Sequence, residues 1–153
     1  MKTKRIIKDQ KGGALVEFAI VLPLLVVLVI GIVEFGLLCY NKHVIANASR
    51  EGARAAIVAG VDFLDDATIR TIVKNYCNPR LLDFSGNTID NDDIDLTDGD
   101  GNAVVRSTLG FGDDFAVTIE YDYGFLIPSL FSLGNTTTIT AKTLMKMEQA
   151  IGA

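Results

Sequence analysis

The stretch Lys11-Gly12-Gly13-Ala14-Leu15-Val16-Glu17-Phe18 sets one carboxylate a single helical turn inside an apolar run, directly after a pair of glycines. An ionisable side chain in a membrane segment is costly, so Glu17 calls for a function and a partner. A chain cut ahead of it, at the glycines, would begin with a free ammonium about one turn away. In low-dielectric surroundings those opposite charges attract strongly, and the ammonium can belong to a neighbouring copy. The plainer alternative is that Glu17 marks the membrane–water boundary and snorkels toward the cytoplasm.

Other polar constellations are weaker. Asp98, Asp100 and Asn102 start as a calcium loop does, with hard oxygens at alternate positions. Ala103 then stands where the loop requires glycine, and Leu109 where it requires the bidentate glutamate. The run Asp90–Asn102 therefore reads as a solvated turn between strands, and no metal or other cofactor is expected. His43 is the single histidine, which leaves a Ser-His-Asp triad or a His-based zinc site without supporting partners. Gly110-Phe111-Gly112 lacks the third glycine and the following helix of a dinucleotide loop. An enzyme is not expected.

The element that must hold Glu17 is a long helix. Phe18 to Val33 carries no charge, and apolar character resumes after Glu34 through Tyr40. Such a length crosses a bilayer. A secretory signal has a shorter core and a small-x-small cleavage site, which is missing before Asn41. Pro23 leaves the Ala19 carbonyl without its usual donor and favours a kink. Charge is polarised along the chain: five basic residues against Asp9 precede residue 14, whereas residues 61–153 hold fifteen acids and six bases. The basic flank marks the cytoplasmic side, so the acidic domain lies outside. No basic patch survives beyond the span, which argues against nucleic acid. Cys39 and Cys77 would then face an oxidising compartment, where one disulfide and two free thiols both remain open.

Helical pattern continues to Gly60 without proline, giving a helix of about 70 Å from Ala14. Val44, Ala48, Ala55 and Val58 can share an apolar stripe. Ala48, Gly52, Ala56 and Gly60 line one face with small side chains, suited either to the close approach of another helix or to packing against the chain's own sheet. Asp65–Tyr76 reads as an amphipathic helix that Asn78-Pro79 ends. Alternation then predicts strands at Ala103–Thr108, Phe115–Tyr121 and Thr136–Met147, with a weaker candidate at Leu81–Ile89. Gly124–Gly134, containing Pro128, is an irregular apolar connection. The expected class is α+β: a transmembrane helix continuing into a domain with a short second helix and a small antiparallel sheet.

Gly12-Gly13-Ala14-Leu15-Val16-Glu17-Phe18 resembles the cleavage motif of type IV pilins, in which glycine precedes the cut and glutamate is fifth after it. More widely, Val16–Pro23, Gly31–Gly36 and Asn47–Ala56 resemble the TadE/TadG-like pseudopilins (minor pilins) of the Tad type IVb pilus, over about residues 12–60. At this length the TadE-like kind fits best. The resemblance implies a substrate of a prepilin peptidase, cut between Gly12 and Gly13 and read through Glu17 and Phe18. Its partners would be other pilins, pseudopilins and the Tad assembly machinery, with roles in pilus assembly and surface adhesion. Glu17, Pro23, Glu34, Ala48, Gly52, Ala56 and Gly60 would serve helix packing and assembly. The expected layout is a basic leader over residues 1–12, a membrane helix over 13–40, its extension over 41–60, and an acidic domain over 61–153. The protein would cross the bacterial inner membrane once with its N-terminus in the cytoplasm. The alternative is an unprocessed, membrane-anchored extracytoplasmic binding module.

Overall fold

The computed structural model describes residues 10–58, 64–82, 84–104, 109–127 and 135–148. Helix α1 runs from Gln10 to Val58 and includes Pro23, and α2 runs from Asp66 to Cys77. Three strands follow, β1 (Ile94–Asp98), β2 (Asp114–Gly124) and β3 (Thr136–Lys146). They form an antiparallel sheet in the order β1-β2-β3. The chain is therefore α+β, as its periodicities indicate. It divides into two compact units, one ending at Phe35 and one beginning at Gly36.

Local chemistry explains α2. Asp65 caps it by accepting the Thr68 amide at 3.0 Å, which satisfies one of the orphan donors of the first turn. Ile69, Val73 and Cys77 recur every fourth residue and are all buried. Pro79 cannot continue the helix.

The sheet follows the period of two. In β2, Phe115, Val117, Ile119, Tyr121 and Tyr123 are buried at alternate positions. In β3, Ile139 and Ala141 are buried and Thr143 and Met145 half-buried, while Thr138, Thr140, Lys142, Leu144 and Lys146 are exposed. Val117 pairs with Leu96 on one side and Thr143 on the other, which makes β2 the central strand.

Three expectations about strands need correcting. The acidic run is more than a turn, because Ile94–Asp98 within it is β1. Ile94 and Leu96 point into the core and Asp95 between them is exposed, a half-buried alternation hidden among carboxylates. The strand expected at Ala103–Thr108 is reduced, among described residues, to a single bridge between Ala103 and Thr97; residues 105–108 lie outside the description.

Leu81–Ile89 is not a strand among its described residues. Its two ends are held by asparagine side chains in place of a ladder. The Leu82 amide donates to Asn41 Oδ1 at 2.9 Å, and Asn41 Nδ2 donates to the Leu82 carbonyl at 2.6 Å. Asn78 does the same for Ile89, at 3.0 and 3.2 Å. A side-chain amide offers the donor and acceptor that a neighbouring strand would, so the loop's buried polar groups are met without pairing.

The core lies between the second half of α1, α2 and one face of the sheet. Ile45, Ala48, Ala53, Ala56, Ile69, Val73, Val117, Ile119 and Tyr123 are inaccessible to solvent.

Candidate functional site

The candidate site is α1 itself, which behaves differently along its length. From Leu15 to Phe35, fifteen large apolar side chains are exposed. Burying such a side chain is worth about 1.5–3 kcal/mol. Even at half that value, leaving them in water forgoes roughly 10–20 kcal/mol, as much as the net stability of a typical domain. This face therefore requires lipid or other helices. The 21 residues from Leu15 to Phe35, exposed for the most part, measure about 31 Å, close to a hydrocarbon core. Its most apolar window has mean hydropathy 2.9 and nothing in it is buried. Among the described residues α1 is the one helix long and apolar enough to cross a membrane, and it suggests a membrane anchor.

Glu17 sits on this bare part of the helix, between the exposed Val16 and Phe18. Gly12 and Gly13 precede it within the helix, and a side chain added at either glycine would meet nothing within 4 Å. Pro23 lies on the same exposed stretch. Glu34 differs from Glu17 in being buried, 4 % exposed, although Ile32 and Phe35 beside it are open.

Past Asn41 the same helix turns inward. Asn41, Val44, Ile45, Ala48, Ser49, Gly52, Ala53, Ala56 and Ile57 are buried at the three- and four-residue spacing of one helical face. The stripe sketched from sequence is displaced, since Ala55 is only half-buried, and the side chain of Val58 falls outside the description. Ser49 Oγ donates to the Val117 carbonyl at 2.7 Å, which ties α1 to the central strand. At Gly52 an added Cβ would lie 2.7 Å from Val73 Cγ2 and 3.6 Å from Val117 Cγ1. Ala48, Gly52 and Ala56 are all buried, and Gly52 admits Val73 of α2 and Val117 of the sheet, so within the domain this small-residue face packs on the chain's own elements, one of the two readings its sequence offers. Gly60 lies outside the described residues.

The acidic loop holds itself together. The Asp98 carboxylate accepts from the Asn102 side chain at 3.0 Å, the Asn102 amide at 2.8 Å and the Asp100 amide at 3.0 Å. Those bonds, the Asn102 side chain first, hold its carboxyl below the usual aspartate range. Its oxygens serve the turn, and among the described residues no three His, Cys, Asp or Glu side chains gather as metal ligands.

Cys39 and Cys77 are both free thiols. Burial pushes the Cys77 thiol up to about 12, against a smaller opposing pull from Arg80.

Sequence reasoning missed Asn41, Asn78 and Ser49, whose side chains position the loop and the helix. The available signal was polar residues recurring on an otherwise apolar helical face.

Residues 12–54 match the family described as TadE-like protein. The match begins at the glycine pair and ends within α1, so it concerns the helix and not the sheet. The curated proteins and the solved structures each give no match to this chain.

Proposed function

We propose that this chain is a minor pilin or pseudopilin of a Tad-type (type IVb) pilus system, a structural subunit rather than an enzyme. The observation that carries this reading is that the TadE-like match covers the bare apolar face of α1 together with Glu17. A helix with that face is anchored by lipid and can later exchange lipid for the helices of neighbouring subunits.

In this reading a prepilin peptidase cuts between Gly12 and Gly13. Gly13 then supplies a free ammonium, and Glu17 of one subunit accepts the new N-terminus of the next, which sets the stagger between packed helices. Phe18 belongs to the recognised segment, and the domain beyond Gly36 stands outside the inner membrane. Contribution to pilus assembly and adhesion follows from that placement, with other pilins and the Tad assembly machinery as partners.

Mass spectrometry of the mature N-terminus, in cells with an active prepilin peptidase, tests the reading. A chain beginning at Gly13 is expected, and Gly12→Leu should block the cut because the larger side chain does not fit the peptidase. An intact Met1 in the unaltered protein would overturn the pilin reading and leave an anchored binding module. Normal maturation of Gly12→Leu would refute the proposed cut.

A further inference from the structure

The two edges of the sheet differ. Along β1 the outward backbone groups are engaged: the Leu96 carbonyl accepts the Val104 amide, the Asp98 amide donates to the Asn102 carbonyl, and the Asp98 carbonyl accepts the Gly101 amide. Arg70 Nη1 donates to the Ile94 carbonyl. At β3 the Phe125 amide donates to the Asn135 carbonyl and the Met147 amide to the Asp113 carbonyl, so the odd-numbered residues of β3 are those bonded to β2. The even-numbered Thr136, Thr138, Thr140, Lys142, Leu144 and Lys146 therefore turn their amides and carbonyls away from β2. They line an edge of 11 residues that contains neither proline nor glycine. Among the described residues nothing bonds those backbone groups, and all of these side chains are exposed. Such an edge is a template for another strand.

We infer that the β3 edge takes an extended acidic segment of another protein as an antiparallel fourth strand. The segment carries a carboxylate, an apolar side chain and a carboxylate at alternate positions, opposite Lys146, Leu144 and Lys142. Charge selects this occupant. Residues 61–153 hold fifteen acids and six bases, yet β3 has two of the bases and no acid. Lys142 forms no ion pair among the described residues, and Lys146, although 2.8 Å from Asp114, keeps a side chain 69% exposed. Opposite charges across a strand pair stabilise it and like charges oppose it. A second copy is the poorer occupant: its β1 edge is engaged, and its β3 would bring four lysines onto one sheet face. On the other face Thr143 and Met145 are only half-buried, so apolar residues at the intervening positions of the added strand would cover them. The inference concerns the domain beginning at Gly36 alone and does not depend on processing or on the pilin reading.

Amide hydrogen exchange of the full protein in detergent micelles tests it, with the synthetic peptide Glu-Val-Val-Thr-Glu-Val-Thr-Val-Thr as probe. Alone, the protein should exchange slowly at Ile139, Ala141 and Thr143 and fast at Thr138, Thr140, Lys142 and Leu144. Millimolar peptide should slow those four amides about tenfold, while the same peptide with lysine for glutamate should not. Thr140→Pro removes one outward amide and leaves the bonds to β2 in place, so it should weaken peptide binding about tenfold with the odd-numbered amides still protected. Lys142→Glu, which keeps every backbone group, should reject the glutamate peptide and accept the lysine one. Fast exchange at the four amides under millimolar peptide would overturn the proposal, as would equal protection by both peptides. Protection that appears without peptide and grows with protein concentration would overturn it too, because the occupant would then be a second copy.

Discussion

Gly52 and Val73 approach so closely that a single added carbon on the glycine would lie 2.7 Å from Val73 Cγ2. That contact sets the spacing between α1 and α2. Gly52→Val should destabilise the domain by about 1–3 kcal/mol through overpacking, and Gly52→Ala by less. Denaturant unfolding of the full protein in detergent measures it. Adding Val73→Ala should recover part of the loss, because it removes the opposing methyls; an additive double mutant would show that the contact is not the cause.

The Asn41 clamp is the second place where one side chain decides local structure. Asn41→Leu leaves the Leu82 amide and carbonyl without their partners beside a buried helix face. The expected cost is about 1–3 kcal/mol. Hydrogen exchange should quicken at Leu82 while Ile89, held by Asn78, keeps its protection. Equal loss at both sites would mean that the loop opens as one unit.

Cys77 provides a pH prediction. Its folded thiol titrates near 12, above the ordinary value of 9.0, so the folded state holds its proton more tightly than the unfolded chain. The associated stability is complete below about pH 9 and falls as pH rises from there toward 12. Alkylation with iodoacetamide near pH 8 should leave Cys77 unmodified in the native protein and label it after denaturation. Fast native labelling would contradict its burial.

Glu17→Ala should still insert, because it only makes the bare face of α1 more apolar, and should impair assembly by removing the acceptor for a neighbour's N-terminus. Membrane fractionation and a count of surface pili check the two halves separately. Wild-type pilus numbers would argue against the ammonium–carboxylate pairing, and failure to insert would assign Glu17 to topology instead. Glu17→Gln, which keeps the shape and loses the charge, should resemble the alanine variant.

Much of this protein is written in its residue order. The run from Leu15 to Phe35 marks an apolar helix of membrane length by composition, since only Glu17 and Glu34 interrupt its apolar character. The same holds for α2, where the Asp65 cap and the spacing of Ile69, Val73 and Cys77 are local signals. In β2 and β3 the period of two was plain because each strand turns one face to water.

Tertiary structure decided what local pattern leaves open. Ala48, Gly52 and Ala56 are equally suited to a partner helix and to the chain's own core, and only the packing of α2 and β2 against them assigns the face. Strand β1 was hidden because carboxylates occupy its exposed positions and continue past its end, so charge masked the alternation of Ile94 and Leu96. The loop from Leu81 to Ile89 has strand-like composition, yet Asn41 and Asn78 take its end groups from a distance of 41 and 11 residues in sequence. Such pairings depend on where the backbone brings two segments together, and a periodicity confined to one segment carries no record of that.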